Sequence, residues 1–376
     1  MFTYCAGIRL LWDKLRLKLY CLCNSYKKIV SATVAAVLLL VLCLYVATPV
    51  LIKSHLNNTV LASLGDYTGY VEDVDWRFMR LAYSIQGVRL VRKGIATDAP
   101  FFYAKDFVIS LSGEALLRGK LRVNAVLENT ELNFIDSPEA ARRQAGLGTN
   151  WLEVLRAILP TSLHSLTLKA GAIRFINQDV KPEVTLAATH INAHLNNLSN
   201  VMARSQDYAA SGVLEAALQN KGRLNARASF DAKNFDDFSF SAKATNVNLT
   251  DFNDFSKAYG NVDFQSGFGS IFVELKADDG ELLGYAKPFF ENVSIASWEQ
   301  DVKQQKDNPV DLLWEFGWEV FKALLTNQKT DKIATTIDID GTISKAEIQS
   351  WPIVLGIIKN AFIDALEENY NLGFID

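Results

Sequence analysis

Residues 223–230, RLNARASF, alternate strictly between polar and apolar side chains. Residues 238–245, FSFSAKAT, repeat this pattern, and the stretch from Leu121 to Glu128 shows it earlier in the chain. Successive side chains of a β-strand point to opposite faces of the sheet, so a period of two indicates strands with one dry and one wet face. These stretches predict an antiparallel sheet that is solvated on one side only.

The strand signal continues on both sides of these stretches. Further strands are predicted at Tyr67 to Trp76, Ala82 to Val91, Tyr103 to Leu111, Leu166 to Ile176, Val184 to Leu195, Tyr208 to Leu218, Val262 to Leu275 and Leu282 to Ile295. Turns are predicted at Gly171, Asn220 to Gly222 and Asp278 to Gly280, so most links are expected to be hairpins. The chain shows no βαβ rhythm, which argues against a doubly wound fold. A helix is predicted at Asn150 to Leu159, where Pro160 ends it.

The N-terminal region contains one long uncharged stretch, residues 29–52, flanked by Lys27, Lys28 and Lys53. At about 1.5 Å per residue this helix is about 36 Å long, which is enough to cross a hydrocarbon layer about 30 Å thick. A cleaved signal peptide would have an apolar core of only about 7–15 residues. Residues 1–28 are basic, which predicts a cytoplasmic leader, a transmembrane helix over 29–52 and the rest of the chain on the far side.

The amino-acid composition limits which compartments and which classes of partner are expected for this protein. All four cysteines (Cys5, Cys21, Cys23 and Cys43) lie in the leader or the span. An exported domain without disulfides is more typical of a bacterial envelope than of a secreted eukaryotic protein. Beyond Lys53 the acidic residues outnumber Lys and Arg by ten, which argues against nucleic acid as a partner.

No pattern of catalytic or cofactor-binding residues emerges from the sequence. The nucleophile elbow, the P-loop and the dinucleotide-binding glycine motif are absent, and the exported part has no cysteine nucleophile. His190 and His194 have a metal-like spacing, but in a strand they are about 13 Å apart, too far to share an ion. We therefore predict no enzyme activity, no catalytic residue, no metal and no cofactor.

The tail changes character at Asp307. Residues 310–325 are apolar on most of the helix circumference, which indicates a helix buried in protein or lipid. Its candidates for docking to a membrane or a partner are Trp314, Trp318, Phe321 and Leu325. A final strand through Ile333, Ile337 and Ile339 precedes a last amphipathic helix from Trp351 to about Tyr370. We predict that residues 307–376 form a helix–strand–helix closing segment.

The dry face of the sheet admits two interpretations. A long antiparallel meander covers its apolar face by closing into a barrel, by stacking on a second sheet or by curling around a guest. Large residues on that face suit a self-packed interior and a trough for acyl chains equally well. The periodicity of the sequence leaves both open.

Three stretches resemble the AsmA-like bacterial envelope proteins, within the superfamily of repeating β-groove lipid-transfer proteins. Residues 165–177, SLTLKAGAIRFIN, are similar to their strand, glycine, strand unit, and residues 67–91 resemble the start of such proteins after their single span. Gly341 to Ile343, followed by Trp351 and the helix at Asn360 to Phe362, is similar to the close of small members. The resemblance implies a curled antiparallel groove over residues 54–306, and a role in holding or moving phospholipid between the two bacterial membranes.

We therefore predict a mostly β, inner-membrane-anchored periplasmic protein that binds or conducts phospholipid acyl chains and supports envelope lipid homeostasis and outer-membrane biogenesis. The expected partners are the inner membrane and phospholipid, with another envelope protein or a second copy as a further candidate. The lipid-groove candidates are Leu121, Val123, Leu127, Leu224, Phe230, Phe238, Phe240, Ile337 and Ile339. The alternative is a structural or scaffolding envelope protein whose β domain is filled by its own side chains.

Overall fold

A computed structural model of the 376-residue chain describes most of the region between the N-terminal leader and the tail. The described residues are 30–62, 64–77, 81–95, 99–120, 122–139, 142–146, 163–198, 210–230, 237–260, 262–298, 332–334 and 336–342. The leader at 1–28 and the helices predicted at 150–159, 310–325 and 351–370 lie outside them.

The chain divides into two units, residues 1–54 and 55–376. Helix α1, Val30–Val60, is long and apolar enough to span a membrane, and the side chains of its most apolar stretch are not buried. This agrees with the predicted single N-terminal span. In the second unit, the Asn57 side chain donates to the Val71 carbonyl (3.1 Å) and accepts from the Val71 amide (2.7 Å). These two bonds fix the segment that follows the span.

Among the described residues, the second unit contains one mixed, fourteen-stranded sheet that is not closed into a barrel. Its strands are β1 Tyr67–Tyr70, β2 Asp73–Arg77, β3 Ala82–Arg92, β4 Phe102–Leu111, β5 Val123–Ile135, β6 Leu163–Asn177, β7 Val184–Asn196, β8 Ala210–Leu218, β9 Gly222–Phe230, β10 Phe238–Asn248, β11 Val262–Asp278, β12 Glu281–Trp298, β13 Lys332–Ala334 and β14 Ile337–Thr342. Strands β3 to β12 follow each other in sequence order. At one end β1 and β2 both pair with β3, and at the other β13 and β14 both pair with β12.

The predicted mostly β fold is confirmed, and two details differ from the prediction. Strands β5 and β6 are parallel, whereas every other strand pair is antiparallel. A parallel pair needs a crossover of about a dozen residues or more, and the connection over residues 136–162 is long enough to supply it. The turn predicted at Gly171 is wrong, because Gly171 lies inside the continuous strand β6.

Residues with a left-handed backbone conformation form a line across the sheet, because they lie at about the same level along their paired strands. Asn129 is level with Ala170 on the neighbouring strand. Pairing shifts by one residue near this line between β6 and β7, β7 and β8, β10 and β11, and β11 and β12. Such bulges bend a strand and increase its twist. We call this line the crease, and its members are Gly87, Asn129, Ala170, His190, Asn246, Gly267 and Asn292.

The crease reverses which sequence positions face the core. In β11, the even-numbered Val262 and Phe264 are buried before Gly267, and the odd-numbered Leu275 and Ala277 are buried after it. Most crease positions hold Gly or Asn, the residue types that adopt a left-handed conformation most readily. The two exceptions are supported by Asn192, whose side chain accepts from the Ala170 amide (3.2 Å) and donates to the His190 carbonyl (3.1 Å).

Two short helices complete the described fold. Helix α2 is Gly113–Leu117, and helix α3 is Asn253–Gly260, preceded by a 3-10 turn at Leu249–Phe252. The Asn253 side chain exchanges hydrogen bonds with the backbone of Phe264 on β11. Further along α3, Phe255 and Tyr259 stack against Phe175 of β6, with ring centroids 6.1 and 6.2 Å away. Helix α3 therefore joins strands that are not neighbours in the sheet.

A buried polar network fastens α3 to the end of β5. The Tyr259 hydroxyl donates to the Asp136 carboxylate (2.8 Å), which also accepts from the Asn177 amide (2.9 Å). Beside α3, Leu249, Val262 and Phe264 form a buried apolar cluster. The apolar side of the sheet is thus closed by the chain itself on the α3 side of the crease.

The crease gives a direct test of backbone strain. Asn246 is exposed and has a φ of 56°, which a β-branched residue adopts only under strain. We expect Asn246→Val to lower the free energy of unfolding by about 1–2 kcal/mol, and Asn246→Gly to leave it almost unchanged. Denaturant unfolding followed by circular dichroism measures both changes.

The matched control is Asn225→Val on β9, another exposed asparagine, which lies outside the set of left-handed residues. Valine favours an ordinary strand conformation, so we expect no loss of stability at this position. Equal losses at both positions would contradict the role assigned to the crease.

Candidate functional site

Two uninterrupted rows of apolar residues cross the sheet at right angles to its strands. Residues that pair directly on adjacent strands lie on the same face, so the pairing register defines each row. Row 1 consists of Trp76, Tyr83, Ile109, Ala125, Leu166, Leu195, Gly212, Ala228, Phe240, Leu275, Gly284 and Ile339. Row 2 consists of Val74, Ile85, Phe107, Leu127, Leu168, Ala193, Leu214, Ala226, Ala242, Val273, Ala286 and Ile337. At about 4.8 Å per strand, each row is about 53 Å long.

The opposite face of the sheet is largely polar. The row of paired residues between rows 1 and 2 points the other way and includes Arg227, paired with Ser241, and Glu274, paired with Tyr285. Lys169 forms an ion pair with Glu128 across the parallel strands at 3.3 Å. Such exposed pairs contribute little to stability. Their value here is to show which face is wet.

The solvent exposure of the side chains varies along the two rows. Toward the β2 end, Ile109 and Ala125 of row 1 are 4% and 0% exposed, and toward the β14 end Leu275 and Ile339 are 7% and 1% exposed. In row 2 the half-buried positions extend to Leu127 on β5 and Val273 on β11, and on β6 to β10 every position of both rows is half-buried. We call this half-buried part the window. Its members are Leu166, Leu168, Ala193, Leu195, Gly212, Leu214, Ala226, Ala228, Phe240 and Ala242.

The middle of the window is lined by small residues. Ala193, Gly212, Ala226, Ala228 and Ala242 occupy half of its positions. Leu195 leans over the glycine, since a Cβ atom built on Gly212 would be 2.8 Å from the Leu195 Cδ2 atom. The Leu195 side chain thus occupies the space over Gly212, and the window is an apolar, half-buried strip of the sheet.

The β2 end of row 1 is filled by the chain's own aromatic side chains. Trp76 and Tyr83 meet edge to face with ring centroids 6.2 Å apart. Burial raises the pKa of the Tyr83 hydroxyl above its ordinary value of 10.0, because the charged form loses its hydration. The Trp76 indole nitrogen is buried without a hydrogen-bond partner in the described structure. The β2 end of row 1 is thus packed by the chain's own aromatic side chains, although Trp76 and Tyr83 are half-buried like the window.

The structure places the described groove candidates on one face. Val123 and Ile339 are buried, whereas the other described candidates are half-buried. Those half-buried candidates are Leu127, Leu224, Phe230, Phe238 and Phe240. Ile337 pairs with Ala286, although only its backbone is described. The candidates that lie outside the described residues are Leu121, Trp314, Trp318, Phe321 and Leu325.

Only Phe240 of the ten window residues was among the predicted groove candidates. Leu166, Leu168, Ala193, Leu195 and Leu214 were not among the groove candidates, although their strands were predicted. In β6 and β7 the alternation changes phase at Ala170 and His190, so neither strand shows one clean period over its whole length. The signal that reveals these residues is a change of phase in the apolar–polar alternation inside a strand. In the other strands that cross the crease, an Asn or a Gly marks this change.

The two histidines of β7 occupy structural positions in the sheet. His190 lies in the crease, and the His194 Nδ1 atom is 2.8 Å from the Thr167 hydroxyl on β6. Within the ranges that the structure describes, no three His, Cys, Asp or Glu side chains are grouped to hold a metal ion.

Comparison of the chain with protein-family models gives no match, and neither does comparison with curated protein sequences. The geometry of the window therefore carries the functional argument.

The uneven cover of row 1 predicts two different outcomes for the same substitution. Ile109→Glu buries an unpaired charge, so we expect a loss of about 3–5 kcal/mol in the free energy of unfolding or a failure to fold. Phe240→Glu places the charge in the half-buried window, where water reaches it, and we expect a loss of about 1–2 kcal/mol. Thermal unfolding of the two variants, purified as full chains, compares them directly.

A loss of similar size at both positions would show that the window is as well covered as the β2 end. The exposed Ser239 on the opposite face supplies the control, since Ser239→Glu should leave stability almost unchanged.

Proposed function

We propose that this chain is a membrane-anchored protein that binds phospholipid acyl chains on the window of its β-sheet. The observation that carries the proposal is that two apolar rows continue without a charged residue across the sheet and lose their cover in the middle. The membrane-compatible helix α1 in the same chain supplies access to lipid.

The energetics of such a site depend on continuity. An acyl chain that binds the site leaves one apolar environment, the bilayer, for another. Its transfer in either direction therefore costs little free energy if the site covers every methylene. Each methylene left in water costs about 0.8 kcal/mol. A charged or polar residue within a row would add the cost of its own desolvation. The rows contain only apolar side chains, glycine and one tyrosine, Tyr83, which lies at the self-packed end.

The proposed location is the bacterial inner membrane, with the N-terminus in the cytoplasm and the sheet in the periplasm. The basic residues before the span support this orientation. The lack of cysteine beyond the span and the resemblance to AsmA-like proteins support the compartment. The proposed role is envelope lipid homeostasis, with phospholipid as the ligand and no catalytic step.

A second candidate function is that of a structural envelope protein with a self-packed sheet. The buried positions of row 1 on both sides of the window, such as Ala125 and Leu275, and the closed α3 side favour it. The two functions differ in what covers the window, so the test must report on the window itself.

Site-specific photo-crosslinking distinguishes the two. Leu214 and Val213 are consecutive aliphatic residues of β8, one in the window and the other 52% exposed on the opposite face. A small diazirine-bearing residue is placed at either position in the full chain, in cells grown with radioactive phosphate. We expect a phospholipid adduct from position 214 and at least tenfold less from position 213.

Equal lipid labelling from both faces would indicate non-specific contact with membrane and contradict the proposal. A protein adduct alone at position 214, without lipid, would favour the structural function. A probe at Ile109, in the buried part of row 1, should give no lipid adduct and controls for reaction at any apolar position.

A further inference from the structure

The connection between β4 and β5, which contains helix α2, holds exposed leucines away from the window. Leu117 is 92% exposed, the highest value of any large apolar side chain among the described residues, and Leu116 beside it is 49% exposed. Leu111, at the end of β4, is exposed as well, and its amide donates to the carbonyl of the exposed Leu81 (3.0 Å). Exposed leucines are thus grouped at one end of strands β3 and β4.

The backbone of this connection is fixed at both ends of α2. The Ser112 hydroxyl caps the start of the helix by accepting from the Ala115 amide (3.3 Å). Gly119 ends the helix with a φ of 68°, and the Lys120 amide donates back to the Ala115 carbonyl (2.9 Å), as in a Schellman motif. A defined turn, with Ala115 buried beneath it, therefore holds Leu117 in solvent.

The same connection is basic, although the chain beyond the span is acidic. Arg118, Lys120 and Arg122 are exposed, and the Ser112 amide donates to the Arg122 carbonyl (2.9 Å). The one acidic residue between 112 and 122 is Glu114, which pairs with Arg118 at 2.8 Å. We call this segment the leucine loop. Its members are Leu111, Leu116, Leu117, Arg118, Lys120 and Arg122.

Leucines beside Lys and Arg fit a lipid surface better than a protein surface. The cores of protein interfaces are enriched in aromatic residues and depleted of Lys, whereas residues 112–122 contain no aromatic residue. At a bilayer surface, leucines enter the boundary of the acyl chains, and the long stems of Lys and Arg keep their charges among the headgroups. Anionic headgroups attract these charges.

We propose that the leucine loop docks on the surface of an anionic lipid bilayer. Leu116 and Leu117 enter the acyl boundary, and the basic members contact the headgroups. The contact gives the protein a second attachment to lipid besides the membrane-compatible helix α1. It does not depend on lipid binding at the window.

Photo-crosslinking at Leu117 tests the docking. A diazirine-bearing residue replaces Leu117 in the full chain, which is reconstituted in vesicles of equimolar phosphatidylcholine and phosphatidylglycerol. Chain-free vesicles of deuterated lipid are added, so that mass spectrometry of the adduct separates lipid of the chain's own membrane from lipid of a second one. Because covering a leucine removes its methylenes from water, we expect about tenfold more lipid adduct at position 117 than at a control position.

The matched control is Leu283, which is 54% exposed near the start of β12 and follows the acidic stretch 278–281, DDGE. Its side chain is as large as that of Leu117, but its surroundings repel an anionic surface. Equal lipid adducts at positions 117 and 283 would overturn the proposal.

Lys120→Gln, in the chain with the probe at position 117, tests the charge. The Lys120 backbone amide closes the turn and its side chain is exposed, so the loop keeps its fold. We expect about a fivefold loss of adduct in the mixed vesicles, and no change in vesicles of phosphatidylcholine alone. Lys221→Gln, at an exposed turn between β8 and β9, is the control and should change neither.

The remaining outcomes separate this proposal from its rivals. In cells, a protein adduct in place of a lipid adduct at position 117 would overturn it in favour of a protein partner. Lipid at position 117 without lipid at Leu214 would refute the proposed function and leave the leucine loop intact. Lipid at Leu214 alone would refute the docking of the leucine loop.

Discussion

Pairing register is the constraint on which the apolar face depends. Side chains alternate between the two faces of a strand, so a slip of one residue at any pairing would move every apolar side chain beyond it to the wet face. Both rows nevertheless cross from β2 to β14 without a break. The tight turns at Asn220 and Asp279 and the cross-strand ion pairs help to fix this register, although each contributes little by itself.

The crease explains how one face stays apolar over strands as long as β11 and β12. A strand that bends must change the phase of its side chains, and each long strand does so at a left-handed residue. On one side of that line the chain covers its own face with α3, Phe255 and the cluster at Phe264. On the other side the small residues of the window remain half-buried. One continuous surface is thus divided into a closed part and an accessible part.

Much of the fold could be predicted from alternation alone, because strands such as β9 have one period over their whole length. The crease could not, since a glycine between two apolar runs, such as Gly171, looks the same in a turn and in a bulge. The parallel pairing of β5 with β6 could not either, because short-range patterns do not report which edge a long connection returns to. The lipid-groove candidates of the sequence, such as Phe240, share one apolar face of the sheet, but which part of that face is half-buried depends on packing that only the three-dimensional structure provides.

The parallel pair also has a consequence for how the sheet is made. Strands β1 to β5 form one group of antiparallel pairs, and strands β6 to β12 form another. Residues 136–162 connect the two groups and return the chain to the end of the sheet at which β5 begins. Local hairpins close quickly, whereas a pairing that waits for a long loop is slow. During synthesis the first group is complete while its last edge is still bare. A bare strand edge presents unpaired backbone groups, so it is the part of the unfinished sheet most exposed to pairing with another chain.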